Sequence, residues 1–405
     1  MNRRVMITGI GPIGQWGNDK ESLMDCLMEQ QNLAQPIPES FCKHYEYTSK
    51  FYIPFPDVEL PDIGRRYKRI LADEDKLAIA ATTTALEDAE LVNAKNAAVI
   101  LGTGFSGLEN SFKSHVAHIT PKGEKSINRY NRFIIPMTMP NSIAAWVSIL
   151  FGFQGESYTV NASCASGTAA IGQAFRKIKN GESDIVISGG VENLQDETGG
   201  TMRGFDSLST LTKAEDGKPM PFSQDRSGFL FCEGAGCVLV LEELQHVKAR
   251  GGKIYAEILD YQANSDAHNI VQIDENGDQI FNLLSALSNK SKIDYINTHG
   301  TGTTLNDKVE AEVIQRIFGH KDSQPIINAT KGVTGHSIGA SGGIEAAVTA
   351  LAISTGNIHG NKIPNPIENL NLVQDSIQKD ISCAISTSYG FGGHNCGLLM
   401  RKFNE

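Results

Sequence analysis

The chain has 405 residues and a formal net charge of −10, from 36 lysines and arginines against 46 aspartates and glutamates. At about 150 residues per domain the length allows two to three domain-sized units, which excludes a small disulfide-stapled scaffold. The acidic balance argues against general nucleic-acid binding, which depends on neutralising phosphates with Lys and Arg. Forty glycines exceed the usual share of about 7%. They indicate many positions where the backbone turns tightly or approaches something closely.

The cysteines and apolar segments bear on location and metal binding. Seven cysteines are spread along the chain without a CxxC pair, so we expect reduced thiols and no metal site. Glycine and proline interrupt the apolar run at the N-terminus, which argues against a secretory signal. The longest apolar stretch, 143–153, is far shorter than the ~20 residues that span a bilayer. We therefore expect a soluble, cytoplasmic protein.

Short β-branched runs alternate with amphipathic helical stretches along the whole chain. The predicted strands are 4–9, 97–101, 157–161, 185–188, 237–242, 253–259, 295–298, 326–329, 382–387 and 396–401. The predicted helices include 74–90, 165–179, 308–318 and 342–354. This alternation predicts an α/β fold with buried strands. The segment 36–62, with five prolines, predicts an ordered loop.

The two halves of the chain repeat one order of elements. A strand, a small-residue turn and a helix follow one another in YTVNASCASGTAAIGQAFRKIKNG and again in PIINATKGVTGHSIGASGGIEAAVTALAISTGNI. Each segment is followed by two further predicted strands, and a boundary falls near 250–252. An α/β chain can show such a coincidence without duplication, so both interpretations stay open here. A true duplication would place the turns with Cys164 and His336 symmetrically about a shared centre.

Cys164 lies in NASCASG, directly after a predicted strand and at the start of a predicted helix. The free N–H groups and partial positive charge of a helix N-terminus lower a thiol's pKa and favour the thiolate. Such a thiol is suited to accept an acyl group. The alternative is a buried, inert cysteine, which is the commoner fate of a free thiol.

Two histidines lie in similar turns at the ends of predicted strands. His299 lies in NTHGTGTTLND and His336 in ATKGVTGHSIGASGG. One thiol and two imidazoles provide what thioester chemistry requires, a nucleophile and N–H donors for an oxyanion or enolate. A single histidine in such a place is more often structural. Lys331 and Glu345 flank His336, and either a partly buried pair or a surface pair fits their spacing.

Phe391 lies among three glycines in SYGFGGHN, between two predicted strands. No Lys-Ser/Thr follows and no helix begins there, so the loop is not a phosphate-binding P-loop. The glycines favour a hinge that moves an aromatic ring. The densest basic cluster, RRYKR, is either a solvated face or a docking patch for an acidic carrier. Its charged residues are Arg65, Arg66, Lys68 and Arg69.

Taken together, these motifs resemble the β-ketoacyl-acyl-carrier-protein synthases, the condensing enzymes of fatty acid and polyketide synthesis. The resemblance extends from MITGIGPIG to TSYGFGGHNCGLLM and includes FSQDRSGFLFCEGAGCVLVLEE. It implies the thiolase fold, in which duplicated halves form a five-layered α/β/α/β/α sandwich. The halves would be 1–250, with the nucleophilic cysteine, and 251–405, with both catalytic histidines. It also implies a dimer that works with acyl carrier protein and needs no cofactor, because the carrier's phosphopantetheine arm holds the substrates.

The resemblance also implies catalytic roles for individual residues. Cys164 would take the acyl chain as a thioester, while His299 and His336 would bind the malonyl thioester carbonyl, assist decarboxylation and stabilise the enolate. The backbone N–H groups of Cys164 and Phe391 would form the oxyanion hole. Phe391 would also act as a gate between acylation and condensation. The supporting ion pair would be Lys331 and Glu345.

Substrate contacts follow from the same resemblance. Thr301 and Thr303 would hydrogen-bond the phosphopantetheine arm. Phe105, Met202 and Phe205 would shape the acyl pocket. Phe105 stands where housekeeping elongation enzymes usually carry a smaller aliphatic residue, and Met202 where an aromatic residue is common.

The Cys-His-His set indicates the elongating branch of the family. Initiating enzymes carry Asn in place of the second histidine, and thiolases have a second catalytic cysteine where this chain has Phe391. The departures suggest a specialised synthase of a type II polyketide or polyene pathway, as a homodimer or with a chain-length-factor-like subunit. One alternative is a chain-length-factor-type partner without its own condensing role, which the presence of Cys164 argues against. A CoA-dependent thiolase-like enzyme is the other.

Overall fold

The computed structural model describes residues 3–120 and 131–404. Its strands are β1 (Val5–Ile13), β2 (Gln35–Pro36), β3 (Phe51–Tyr52), β4 (Ala98–Gly102), β5 (Ser157–Val160), β6 (Ile185–Asn193), β7 (Gly234–Glu243), β8 (Ala256–Ser265), β9 (Tyr295–Asn297), β10 (Ile326–Asn328), β11 (Asn357–Ile358), β12 (Ile377–Gln378), β13 (Cys383–Gly390) and β14 (His394–Arg401). Its helices are α1 (Lys20–Met28), α2 (Gly64–Lys68), α3 (Asp73–Ala89), α4 (Leu108–Ile119), α5 (Ile134–Thr138), α6 (Ser142–Phe151), α7 (Ser166–Lys179), α8 (Gly200–Ser207), α9 (Leu244–Arg250), α10 (Asp278–Ser288), α11 (Thr304–Phe318), α12 (Lys331–Thr334) and α13 (Ser341–Thr355).

The predicted strands and helices are all present. Several strands extend further than predicted, such as β6, which continues to Asn193, and β13, which continues to Gly390. Most of their extra residues are glycines and polar side chains, which carry little hydrophobic signal. The loop predicted over 36–62 contains the short strand β3, which pairs with β2. The α/β assignment is confirmed.

Ten strands are hydrogen-bonded in the order β10-β9-β13-β14-β8-β1-β7-β6-β4-β5. The first half of the chain supplies β1, β4, β5, β6 and β7, and the second half supplies β8, β9, β10, β13 and β14. Counted from the junction outwards, each half places its strands in the order first, fifth, fourth, second, third. The halves meet where β1 pairs with β8 at Val5, Met6 and Ile7. This repeated topology confirms the duplication.

Helices cover both faces of each half, and two of them form the central layer. α3 and α6 pack on the first half and α10 packs on the second, with α11 beside it. α7 and α13 contact each other and strands of both halves. Glycines allow this close crossing, since a Cβ on Gly167 would lie 2.7 Å from the Gly343 nitrogen. A Cβ on Gly342 would lie 2.3 Å from the Thr168 Oγ1 atom. The arrangement is the predicted five-layered sandwich.

The central helix α13 is unusually apolar. Within the described residues, one helical stretch, Ile338–Thr355, has the length and hydropathy of a membrane span. Of this stretch 89% is buried inside the protein. Its apolar composition is accounted for by the central layer, where both faces of a helix are covered.

Candidate active site

A cavity of about 540 Å³ lies where the two halves meet. Cys164 reaches it from the first half. His299, His336 and Phe391 line it from the second half. The structure therefore brings the predicted nucleophile and both predicted histidines together in one concave site.

Cys164 is held on a sharp turn between β5 and α7. The preceding residue, Ser163, has a φ of 52°, a left-handed conformation that residues other than Gly rarely adopt. The Ser166 hydroxyl accepts a hydrogen bond from the Ala162 N–H at 2.8 Å and donates to the Ser163 carbonyl at 2.6 Å. Gly390 closes over the turn, where a Cβ would lie 3.1 Å from the Cys164 nitrogen. These contacts fix the direction of the thiol.

The thiol of Cys164 is not activated in the way that the sequence suggests. Burial raises its pKa, and the Ser163 hydroxyl, the Lys331 charge and the Phe391 amide only partly oppose this effect. The direction is opposite to the lowered pKa that we expect from the sequence, because burial disfavours the charged thiolate. The sulfur rests as a thiol and must give up its proton when it attacks. The contact with the Phe391 amide lies where the predicted oxyanion hole requires an N–H group.

His299 is anchored on its backbone and on its ring. Its N–H and that of Gly300 donate to the Glu310 carboxylate, each at 2.9 Å. The Lys331 ammonium lies 3.1 Å from the His299 Nδ1 atom and 2.7 Å from its carbonyl oxygen. An ammonium has no lone pair to accept a hydrogen bond, so Nδ1 must be the acceptor. In the neutral ring the proton is then on Nε2, which makes Nε2 a hydrogen-bond donor.

The tautomer of His336 is less constrained than that of His299. Its Nδ1 lies 2.9 Å from the Ser341 hydroxyl, a group that can donate or accept. Its ring centroid lies 5.0 Å from that of Phe229 and 5.6 Å from that of His299. Burial, together with the Lys331 charge, holds the pKa of both histidines well below the usual value. Both imidazoles are therefore neutral at physiological pH.

Lys331 and Glu345 form a buried ion pair. Of the two arrangements that the sequence left open, the buried one is present. The three donors of the ammonium match three acceptors, the Glu345 carboxylate and two atoms of His299. Burial raises the pKa of Glu345 to about 7, against the opposing effect of Lys331. The pair serves the site by fixing the tautomer of His299.

The predicted substrate contacts are only partly assembled around the cavity. Thr301, Thr303 and Phe205 line it, and the two threonine hydroxyls lie 2.9 Å apart. Met202 is buried beside Phe205 in the apolar cluster that contains Cys164, without lining the cavity. Phe105 also lies outside the cavity lining. Its N–H donates to the buried Glu192 carboxylate, and the residue is 39% exposed.

The basic cluster is accessible, as a docking patch would need to be. The charged residues of RRYKR are all exposed on or next to α2. They do not line the cavity. Their part in carrier docking stays a prediction.

Sequence reasoning missed two buried carboxylates that hold the site together. Glu192 accepts N–H bonds from Gly104 and Gly339, each at 2.8 Å, and so ties the two halves together. Glu310 accepts the N–H groups at His299. Burial raises the pKa of each carboxylate to about 7. A signal for Glu192 was available, since it is a charged residue in the otherwise uncharged strand IVISGGVEN.

Within residues 3–120 and 131–404, no group of three or more His, Cys, Asp and Glu side chains could hold a metal ion. The chemistry available to the described residues is that of a thiol, two neutral imidazoles, backbone N–H groups and a buried ion pair.

Comparisons of the sequence and of the structure with known proteins agree on one family. The model of the β-ketoacyl synthase N-terminal domain matches residues 2–246, and that of the C-terminal domain matches residues 255–362. The chain is 33% identical to 3-oxoacyl-[acyl-carrier-protein] synthase 2 of Staphylococcus aureus (strain COL), over 99% of each protein. The solved ishigamide ketosynthase/chain length factor shares 25% identity over the full length of both chains, with a TM-score of 0.89. A β-ketoacyl synthase from Burkholderia phymatum STM815 shares 26% identity over 99% of this chain and 100% of its own, with a TM-score of 0.89.

Proposed function

The chain belongs to the β-ketoacyl synthase family, and on this premise we propose that it condenses a cysteine-bound acyl chain with malonyl-acyl carrier protein. It is an acyltransferase, a 3-oxoacyl-[acyl-carrier-protein] synthase. The observation that carries the proposal is the meeting of Cys164, His299 and His336 in one cavity. A chain-length-factor-type subunit without condensing activity would not need this set.

Acylation is the first step. The Cys164 sulfur attacks the thioester carbonyl of the acyl carrier, and the N–H groups of Cys164 and Phe391 stabilise the oxyanion. The thiol proton passes to the departing pantetheine sulfur. The acyl chain is then held as a thioester on Cys164.

Decarboxylation and condensation complete the cycle. Malonyl carrier binds with its thioester carbonyl at the imidazoles, where the N–H on Nε2 of His299 donates to the oxygen. Loss of carbon dioxide leaves the electron pair of the broken C–C bond in an enolate, which the N–H donors stabilise. The enolate carbon attacks the acyl thioester on Cys164, a new C–C bond forms, and the cysteine sulfur leaves as a thiolate that takes up a proton from water to restore the thiol. The product is a β-ketoacyl carrier two carbons longer.

The test is to mix the protein with acyl and malonyl carrier proteins and follow the carrier species by intact mass. A β-ketoacyl carrier is expected, accompanied by loss of carbon dioxide. Cys164→Ala is expected to reduce its formation by about a thousandfold or more, because the nucleophile is lost. Unchanged condensation by Cys164→Ala would overturn the assignment. Malonyl carrier decarboxylated without condensation in the unmodified protein would favour the partner-subunit alternative.

For the pathway, we propose a specialised type II polyketide or polyene synthase. Met202, which belongs to the apolar cluster that contains the nucleophile, and the full-length likeness to the ishigamide ketosynthase/chain length factor support this choice. The purified chain should then prefer short or unsaturated primers. Elongation of ordinary saturated primers through the full fatty-acid range would contradict it.

For assembly, we propose a dimer, with a second copy or a chain-length-factor-like subunit. The edge strand β5 ends the sheet, and large apolar side chains remain exposed on nearby elements. Among them, Phe112 is 44%, Ile135 66% and Ile149 59% exposed. Native mass spectrometry of the purified chain tests this, and a monomer that gains activity only with a second subunit would indicate a heterodimer. We place the protein in the cytoplasm, with the RRYKR cluster receiving the carrier.

A further inference from the structure

The segment 37–50, which connects β2 to β3, packs against helix α8, and we call it the strap. Its ends are closed by the β2–β3 pairing and by the Ile37 N–H, which donates to the Lys50 carbonyl at 3.0 Å. Just beyond β3, the Ile53 N–H donates to the Phe231 carbonyl at 2.7 Å. The base of the strap is therefore fixed to the segment that leads into β7.

Asp206, near the end of α8, receives three hydrogen bonds from the strap. Its Oδ2 atom accepts from the Tyr45 hydroxyl at 3.0 Å and the Thr48 N–H at 2.9 Å. Its Oδ1 atom accepts from the Ser49 N–H at 3.2 Å. Asp206 is only 5% exposed. A buried carboxylate bonded this way holds its donors firmly, because leaving them unpaired is costly.

The strap also holds the start of α8. The Tyr47 hydroxyl donates to the carbonyl of Gly199, the residue that precedes the helix, at 2.7 Å. Gly199 has a φ of 74°, and a Cβ there would lie 2.5 Å from the Phe41 ring. Between the two ends, the Arg203 guanidinium lies 4.6 Å from the centroid of the Tyr45 ring. The strap thus supports α8 from end to end.

The opposite face of α8 belongs to the active site. Phe205, the neighbour of Asp206, lines the cavity, as do Leu208 and Thr210 after the helix. The Phe205 ring centroid lies 5.7 Å from that of Phe229, which in turn contacts His336. The apolar cluster that contains Phe205 also contains Cys164 and reaches the strap residues Phe41 and Tyr47. Helix α8 is a wall between the strap and the nucleophile.

An acyl chain on Cys164 will extend into this apolar cluster, because that burial removes its methylenes from water. A longer acyl chain fits only if α8 moves away from Cys164. The three hydrogen bonds to Asp206 resist that movement. Building on the proposed function, we propose that Asp206 is a positioning residue that limits the acyl-chain length accepted at Cys164. It does so by tying α8 to the strap, without touching the substrate.

The test measures acylation of Cys164 by hexanoyl and palmitoyl pantetheine thioesters, followed by intact mass of the full-length protein. In Asp206→Ala the palmitoyl rate should rise relative to the hexanoyl rate by about fivefold, as expected when bonds of this strength are lost. Tyr45→Phe removes one of the three bonds and should shift the ratio in the same direction by less. This milder variant also keeps the test valid if Asp206→Ala does not fold.

Asp294→Ala is the matched control. Asp294 accepts the N–H groups of Ser382 and Cys383 at 2.9 and 3.2 Å, and it does not line the cavity. Its loss should lower stability while leaving the chain-length ratio unchanged. An unchanged palmitoyl-to-hexanoyl ratio in both Asp206→Ala and Tyr45→Phe, or an equal change in Asp294→Ala, overturns the inference. Absence of any acylation in the unmodified protein would instead overturn the proposed function on which the inference rests.

Discussion

The turn at Ser163–Ala165 and the turn at Ile338–Ala340 occupy equivalent places in the two halves, each ahead of a central helix. Each begins with a residue of positive φ, 52° at Ser163 and 44° at Ile338. Each is followed by a serine whose hydroxyl accepts an N–H from four residues earlier, at 2.8 Å in the first and 3.2 Å in the second. The sequence Ala-Ser-Gly occurs in both. The backbone of the turn is thus duplicated along with the sheet.

The middle residue is where the turns differ. In the first turn it is Cys164, whose side chain reaches the cavity. In the second it is Gly339, whose N–H donates to Glu192. A duplicated turn therefore supplies one nucleophile and one anchor point. The turn itself therefore does not confer reactivity, which depends on the residues that the other half places opposite it.

The largest expected effect comes from giving the second turn a side chain. A Cβ on Gly339 would lie 2.5 Å from the Gly104 nitrogen and 2.7 Å from the Glu192 carboxylate. Gly339→Ala should therefore lower the free energy of unfolding by about 2–4 kcal/mol, because backbone must shift. Chemical denaturation measures the loss.

Gly204→Ala is the control for that change. Gly204 lies within α8, and a Cβ there meets no atom within 4 Å. The variant should be unchanged or more stable by up to about 1 kcal/mol, from helix propensity. Equal stability of the Gly204 and Gly339 variants would mean that the second turn tolerates a side chain as the first does.

The next prediction concerns Ser166 and Ser341, the serines that follow the two turns. Ser341→Ala removes the partner of His336 Nδ1 and should reduce decarboxylation and condensation by about tenfold, with a smaller effect on acylation. Ser166→Ala removes the bond that fixes the Cys164 turn, so acylation should be the step most affected. Separate assays of acylation and of carbon dioxide release measure the two. Equal slowing of the same step by Ser341→Ala and Ser166→Ala would contradict these separate roles of the two serines.

The smallest expected effect concerns the pH dependence of the thiol. Because burial raises the pKa of Cys164, its thiolate fraction should still be increasing with pH beyond the ordinary thiol value of about 8.5. Iodoacetamide labelling of the Cys164 peptide, read by mass spectrometry, should rise accordingly. Lys331→Met should slow labelling at a fixed pH, because the Lys331 charge lowers the pKa of the Cys164 thiol and its removal raises that pKa. A plateau below pH 8 would show that the helix N-terminus activates the thiol after all.

Much of the fold could be predicted from local patterns. Buried strands show as β-branched runs, and the duplication shows as a repeated order of strand, turn and helix. Cys164, His299 and His336 could be selected because each follows a strand in a glycine-rich turn. These features can be predicted from the sequence because each depends on residues that are close together in the chain.

The rest depends on contacts between distant segments. The raised pKa of Cys164 comes from burial by both halves, which no local pattern reports. The position of Phe105 outside the cavity and the bonding of Asp206 to residues of the strap likewise join segments far apart in the chain. The buried state of Lys331 and Glu345 depends on the position of α13 in the central layer, which no local pattern indicates.

The crossing of α7 and α13 has a consequence for how the chain matures. Because the thiol and the imidazoles come from opposite sides of that crossing, neither half can assemble reactive machinery by itself. A nascent chain gains an acyl-accepting site only when both central helices have docked, so folding and catalytic competence arise in one event. Fragments separated at Gly251, where α9 ends, should be inert singly and regain function only on reassociation.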